Sequence, residues 1–292
     1  MTGVVHALSV DVEDWFQVLN MRDAVPRARW EDEALRCGDS TRSLLRLFAA
    51  HGAKATFFCL GWIAERLPDL VREIAAAGHE IGSHGYDHKC LQELGPERFR
   101  AEVQQTAAIL APLAGAPPRV FRACTWSITR DTLWALPILA ELGYRLDSSV
   151  FPVLHPEYGI AGAPTSPYRV PTAHGELIEF PPLTLTVLGR RLAVGGGGYL
   201  RLFPLWLLER GLAQQAARGM PGCVYLHPWE VDPGQPRQRL GPWRGFRHYV
   251  NLAQTHAKLT RLLARHRFTT VTEALAGRSA ELPLRALAAG AT

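Results

Sequence analysis

Residues 79 to 90, His79-Glu-Ile-Gly-Ser-His84-Gly-Tyr-Asp-His88-Lys-Cys90, place three histidines, two acids and two glycines in twelve positions. No other stretch of the chain is as dense in metal-binding chemistry. His84 and His88 are four residues apart, a spacing that on a helical turn or in a tight loop aims two imidazoles at one point. Two such ligands need a third. Asp11, Glu13 and Asp14 follow the apolar run Val4 to Val10, Arg122 sits within another apolar run, and His227 follows Val224-Tyr-Leu. A packed core has no use for so many charges. Two histidines and one carboxylate around a divalent cation, with positions left open for water and substrate, is an arrangement of hydrolytic zinc sites, and a second carboxylate could then act as base.

These residues have to be delivered to one place by the elements that carry them. Val4 to Val10 reads as a buried strand, followed by a polar segment through Arg36 and a helix from about Thr41 to His51 closed by Gly52. Ala55 to Leu60 is a second strand. A helix entered through Pro68 and stopped at Gly78 leads into the strand His79 to Ser83, which puts His84 just past a strand's carboxyl end. A helix from Pro96, ended by Pro112, Pro117 and Pro118, precedes a strand at Val120 to Cys124. Residues 129–142 read as helix and Tyr144 to Ser148 as strand. A proline- and glycine-rich loop spans 150–175, and a β-rich stretch runs from Glu176 to Leu188. Gly195 to Gly198 reads as a flexible turn that lacks the Gly-Lys-Ser/Thr ending of a phosphate loop. Helix 205–217, strand Cys223 to Leu226, helix 246–265 and strand Phe268 to Val271 bring the count to at least seven β/α units. Such alternation predicts an α/β fold with a parallel sheet, closed or nearly closed into a barrel, whose active site gathers at the carboxyl ends of the strands.

The chain of 292 residues, 47% hydrophobic, suits one large domain. The expectation is a single catalytic domain over 1–277, with about 205–277 as a candidate extension packed on the barrel and 278–292 as a flexible tail. The net charge of +5 comes from scattered arginines with no nucleic-acid motif, which argues against nucleic acid as a partner. No apolar stretch reaches the roughly 20 residues of a membrane span. The first residues lack the features of a signal peptide, and the five cysteines are odd in number and widely spaced, so the expected setting is the cytoplasm with free thiols.

The segments Ala53-Lys-Ala-Thr-Phe-Phe58 and Leu70-Val-Arg-Glu-Ile-Ala-Ala-Ala-Gly-His-Glu-Ile-Gly-Ser-His84-Gly-Tyr-Asp-His88 resemble the polysaccharide deacetylases of carbohydrate esterase family 4, the NodB-homology group, and the likeness extends from about Val4 to Ala274. It implies a distorted (β/α) barrel of seven or eight parallel strands. It also implies a divalent metal, with Zn2+ foremost and Co2+, Ni2+, Fe2+ or Mn2+ as alternatives, and hydrolytic removal of an N-acetyl group from a saccharide. Carried over residue by residue, it makes His84 and His88 metal ligands. The family's first motif usually has two adjacent aspartates, whereas Leu8-Ser-Val-Asp-Val-Glu-Asp14 has Val12 in the second place. Asp11 is then the expected base and Glu13 the third ligand, with Asp14 the competitor. Arg122, in Phe-Arg-Ala-Cys-Thr-Trp126, matches the arginine that holds the base ionised. Cys124 stands where the family usually has proline.

His227, in Tyr225-Leu-His-Pro-Trp-Glu230, matches the general acid, and Asp147, in Leu-Asp-Ser-Ser149, the group that orients it. Trp126 and Trp229 are candidate walls of a sugar pocket. The variant first motif, the glycine-rich segment and the Leu-His-Pro-Trp-Glu ending resemble a subgroup found with exopolysaccharide biosynthesis loci. Two alternatives stay open: hydrolysis of another C–N bond, as in allantoinase-, imidase- or deformylase-like relatives, and an inactive carbohydrate-binding relative.

Overall fold

The computed structural model describes residues 3–288. Its first strand, β1 (His6–Val12), is buried along its whole length, as expected of a parallel strand covered on both faces. It is followed by the helix α1 (Cys37–Ala50), strand β2 (Thr56–Cys59), helices α2 (Gly61–Arg66) and α3 (Pro68–Ala76), strand β3 (Glu80–Ser83) and the long helix α4 (Leu91–Ala114). Strand β4 (Val120–Phe121), helix α5 (Ala135–Glu141) and strand β5 (Leu146–Asp147) complete the first half. The second half contributes β6 (Tyr168–Thr172), β7 (Gly175–Glu179), β8 (Thr184–Val187), β9 (Arg190–Ala193), α6 (Gly197–Leu202), α7 (Leu205–Ala216), β10 (Cys223–Leu226), α8 (Pro242–Tyr249), α9 (Leu252–Arg265) and β11 (Phe268–Thr269).

Seven strands follow one another in parallel in the order β10-β1-β2-β3-β4-β5-β7, and β11 pairs in parallel with the start of β1. The ends of this curved sheet meet through one parallel bridge, Pro182 to Cys223, supported by the Leu183 N–H to Cys223 O bond of 2.9 Å. The result is a distorted barrel joined along that seam by a bridge where a full ladder would otherwise run. Two pairings break the parallel rule: β6 is antiparallel to β7, and β8 and β9 form a separate antiparallel hairpin. Short connections explain both, because only antiparallel neighbours can be joined by so few residues.

Several elements differ from the sequence expectations, each for a local reason. Helix α4 begins at Leu91 and passes through Pro112, and Gly95 (φ 69°) separates a short first piece from a main piece that starts at Pro96. Pro112 lies near the helix end, which it does not by itself terminate, and Gly115 (φ 80°) forms the terminating cap. The helix expected over 246–265 is two helices, broken at Asn251, which adopts a left-handed conformation (φ 53°) that asparagine tolerates. Residues 278–288 do not fray. Leu282 is buried, Arg169 N–H donates to Pro283 O at 2.9 Å, and Arg285 N–H donates to Arg169 O at 2.8 Å, so this stretch lies along β6 as an added edge. Residues 289–292 of the expected tail lie outside the described residues.

The glycine run is no plain turn either. Gly196 bridges to Tyr225 of β10, and Tyr225 N–H donates to Gly195 O at 2.9 Å. A Cβ on Gly196 would stand 1.7 Å from the Tyr225 carbonyl oxygen, whereas one on Gly198 would meet only the Arg201 guanidinium at 3.7 Å. Gly196→Ala should therefore destabilise the fold by about 3 kcal/mol or more, at or beyond the upper end of overpacking costs. Gly198→Ala should stay within about 1 kcal/mol of wild type. Chemical denaturation of the two variants checks the contrast.

Candidate active site

The carboxyl ends of β1, β3, β4 and β10 bring Asp11, Glu13, His84, His88, Arg122 and His227 together, as parallel strands of a barrel do. A cavity of about 530 Å³ opens over them; Asp11, Glu13, His84, His88 and His227 line it, with Trp126 and Trp229 among its walls.

Arg122 is fully buried and fully engaged. Its Nη1 donates to Asp11 Oδ1 at 2.7 Å and to Ser9 Oγ at 2.8 Å. Nη2 donates to Ser148 Oγ at 2.8 Å, and Nε to Ser148 O at 3.1 Å. The backbone carbonyl of the same residue lies 2.8 Å from His84 Nδ1. That bond makes Nδ1 the protonated nitrogen and leaves Nε2 with its lone pair, the outer-shell arrangement that prepares a histidine for a metal. Burial lowers the His84 pKa to about 4, so the ring is neutral.

Glu13 Oε2 stands 2.7 Å from His88 Nε2 and has no other polar partner among the described residues, and Glu13 Oε1 accepts from the Trp229 indole at 3.3 Å. Burial would raise its pKa, but the attraction of His88 and His227 wins and holds it at about 2. A buried anionic oxygen whose one polar neighbour is an imidazole nitrogen, beside two imidazoles whose rings are 5.5 Å apart, fits a divalent cation. Asp14 is placed differently. Its oxygens accept from the N–H groups of Trp15 (2.9 Å), Arg36 (2.7 Å) and Cys37 (2.8 Å), which ties it to the start of α1. The Cys124 sulfur lies with His84 and His88 in one group whose ligand atoms are within 4.8 Å of each other. Its thiol donates to His84 O at 2.9 Å, and burial pushes its pKa well up, so it is neither a thiolate nor a ready nucleophile.

Asp147 is not the partner of His227. The His227 Nδ1 lies 3.0 Å from Glu230 Oε2, and Glu230 Oε1 accepts from Arg201 Nε at 2.7 Å. Burial would raise the Glu230 pKa, but Arg201 and His227 bring it below its ordinary value. His227 Nε2 points at Glu13 Oε1 (3.5 Å) and Asp11 Oδ2 (3.7 Å). Burial would lower its pKa, yet Glu13, Glu230 and Asp11 together raise it to about 9, so His227 is an imidazolium at neutral pH. Glu230 carries a sequence signal of its own: it is the third residue after His227 at a helical turn, and both its side chain and that of His227 cap that turn.

Asp147 instead accepts from Ser149 Oγ and faces Glu179 in a fully buried carboxyl pair. Burial and the Asp147 charge raise the Glu179 pKa well above its ordinary value, and the pair holds one proton. His88 (φ 57°), Thr125 (φ 55°) and Trp126 (φ 55°) all have left-handed backbones, so local strain gathers at the histidine pair and the pocket wall.

Two histidines, two carboxylates and a buried arginine thus stand together at the carboxyl end of a nearly closed, mostly parallel α/β barrel. The family model described as "Polysaccharide deacetylase" matches residues 30–146. Residues 148–276 match a domain of unknown function, DUF3473.

The chain is 38% identical over 96 residues to a peptidoglycan-N-acetylglucosamine deacetylase of Bacillus cereus, covering 32% of this chain and 35% of that protein. It is 38% identical over 66 residues to a chitooligosaccharide deacetylase of Rhizobium leguminosarum bv. trifolii, covering 23% of this chain and 31% of that protein. It thus spans about a third of the length of these curated relatives. In fold it is similar to a crystal structure from Mycobacterium smegmatis described as a candidate polysaccharide deacetylase (TM-score 0.65, 18% identity, 100% of this chain and 97% of that one). It is also similar to an allantoinase structure (TM-score 0.58, 17% identity, 94% and 90%).

The Asp147–Glu179 pair links stability to pH. The folded state holds a proton that the unfolded chain releases near the ordinary glutamate value, so stability should fall as pH rises from about 4.5 toward the raised Glu179 value. Each unit by which the pKa is raised corresponds to about 1.4 kcal/mol. Glu179→Gln, which mimics the protonated acid, should flatten the Tm-against-pH profile above pH 5; an unchanged profile would contradict a shared proton.

Proposed function

We propose that the chain is a metal-dependent hydrolase that removes N-acetyl groups from an N-acetylated saccharide, and that residues 1–277 act as one catalytic unit. The observation that carries this is the joint placement of Asp11, salt-bridged to Arg122 at 2.7 Å, and of His227, whose Nε2 lies 3.7 Å from Asp11 Oδ2 and 3.5 Å from Glu13 Oε1, beside His84 and His88. One group is an anion held ready to take a proton and the other a cation held ready to give one, which amide hydrolysis requires in succession. The two relatives described as deacetylases of N-acetylglucosamine polymers and chitooligosaccharides support the substrate class.

In this reading Glu13, His84 and His88 hold the cation, with zinc favoured by the set of two imidazoles and one carboxylate and cobalt, nickel, iron or manganese as alternatives. A bound divalent cation supplies Lewis acidity toward the acetamide carbonyl and makes water a better nucleophile. Asp11, aimed by the Arg122 hydrogen bond at 2.7 Å, takes the proton of the attacking water. His227, aimed through its Nδ1 by Glu230, delivers a proton from Nε2 to the departing amine. Trp126, Trp229 and Tyr225 exclude water around the acetyl group, and all three line the cavity. Asp14 caps α1, and Asp147 supports the wall behind Arg122 through Ser149, whose Oγ accepts from Ala123 N–H at 2.8 Å. The five unpaired cysteines favour a reducing, cytoplasmic setting. Among the described residues no helix is long and apolar enough to cross a membrane.

The allantoinase shares this fold, so the fold alone does not choose the bond that is cut. Acetate release measured against ammonia and formate release over N-acetylated oligosaccharides, allantoin and imides tests the choice; ammonia or formate alone would overturn the deacetylase reading. Asp11→Asn should lower acetate release at least about 10³-fold while metal content stays at wild-type level. His84→Ala should abolish the metal measured by elemental analysis, and full retention there would refute the ligand set. Asp14→Ala should keep the metal and lose about 1–2 kcal/mol of stability through the lost cap, whereas Glu13→Gln should lose metal with little loss of fold.

A further inference from the structure

The mouth of the cavity is edged with side chains that a pocket for a small polar group does not need. Trp243 is 68% exposed and Phe246 is 47% exposed on α8, and their rings stack 6.0 Å apart. Leu202, at the end of α6, is 44% exposed. All three line the cavity, as does His155, which follows the almost fully exposed Leu154. Two separate segments, α6 and α8, thus present large apolar side chains outward at one opening, and Leu154 is exposed next to a third lining segment. Isolated exposed apolar residues need no explanation, but a ring of them at a pocket mouth does.

Arginines follow in sequence on the same segment, of which Arg247 lines the cavity together with the acid Glu157. Residues 233–250 contain Arg237, Arg239, Arg244 and Arg247 and no acid. Arg244 pairs with Asp23 and Arg237 lies over the Tyr249 ring, while Arg239 and Arg247 have no carboxylate partner among the described residues. Helix α8, Pro-Trp-Arg-Gly-Phe-Arg-His-Tyr, carries Arg244 and Arg247 beside the exposed Trp243 and Phe246 and buries His248.

We propose that this rim is a docking surface for an anionic lipid bilayer, with Trp243, Phe246, Leu202 and Leu154 entering the headgroup layer and the arginines of 237–247 meeting lipid phosphates. Aromatic and aliphatic side chains beside arginine on one short amphipathic helix are the composition of an interfacial element. A soluble glycan fits the rim less well. Sugars stack on flat rings and bring hydroxyls that need partners, and Leu154 and Leu202 offer neither a ring nor a hydrogen bond. The cavity would then open toward the membrane surface, with the protein peripheral to it.

Co-sedimentation with vesicles tests this apart from catalysis, so its outcome is independent of the deacetylase reading. Wild-type protein should pellet with phosphatidylcholine vesicles containing phosphatidylglycerol, stay in the supernatant with phosphatidylcholine alone, and be released by salt. Trp243→Ser should reduce the bound fraction severalfold, and Arg239→Gln with Arg247→Gln should weaken partitioning by roughly tenfold or more; thermal melts at wild-type Tm would show both folded. Wild-type protein that stays in the supernatant with phosphatidylglycerol vesicles at low salt overturns the proposal. So does binding that is unchanged in both variants, or retention by soluble acidic oligosaccharides in place of vesicles.

Discussion

The buried guanidinium of Arg122 is the constraint on which the site depends. A charge taken fully out of water is tolerated only when a counter-charge and hydrogen bonds replace its hydration. Here Asp11 supplies the charge, while Ser9 and both the hydroxyl and the carbonyl of Ser148 take the remaining donors. Its cation also sits over the Phe58 ring at 4.2 Å and the Trp126 ring at 4.8 Å. Three strands are thereby fixed relative to one another by one side chain. Because the Arg122 carbonyl also holds His84 Nδ1, the same residue aims Asp11 on one side and a histidine of the cluster on the other. The geometry of the site is a consequence of neutralising one buried cation.

The second half of the chain repeats this logic with Arg201. It too is almost fully buried, with Glu230 as its counter-ion and the carbonyls of His248 and Val250 as further acceptors. Glu230 passes the constraint to His227, which stacks near Trp229, which in turn stacks on His248 at 4.5 Å. The region matched to polysaccharide deacetylases contains His84, His88 and Arg122, whereas His227, Trp229 and Glu230 lie in the region matched only to a domain of unknown function. The pocket therefore needs both regions, and the short seam at Pro182 and Cys223 is where the second closes on the first.

Much of this is legible from residue types because parallel strands announce themselves as apolar runs and their polar ends stand out. The pairing of Asp11 with Arg122 and the meeting of Glu13 with His88 require only that those strand ends share one side of the sheet. What escapes such a reading depends on contacts with no local signature. The spacing of Glu230 three residues after His227 is a local signal for a cap, but its ion pair with Arg201 has none, because Arg201 lies 29 residues earlier, beside a glycine run that reads as a turn and opens a helix once Gly196 packs on Tyr225. Resemblance gives Asp147 the role that Glu230 holds, although Ser149 and Glu179 bind Asp147 into a different network. The break at Asn251 and the docking of residues 278–288 are likewise tertiary outcomes, since neither hydrophobic period nor composition records them.

Three buried glutamates show how one side-chain type is set to different protonation states by its neighbours. Glu13 is held at about 2 by His88 and His227 against the cost of burial. Glu230 is lowered by Arg201 and His227, whereas Glu179, facing Asp147, is raised and keeps a proton. Burial alone would raise all three, so the difference lies in whether the nearest charge is positive or negative. A site that must keep one carboxylate anionic and one imidazole cationic a few ångströms apart needs that separation built in before substrate arrives. The acidic pair lies behind the wall formed by Ser148 and Ser149, where a further anion beside Asp11 would otherwise weaken the hold of Arg122. Keeping a proton on that pair spares the cation for Asp11, and this ties a structural carboxyl pair outside the cavity lining to the charge state of the proposed base.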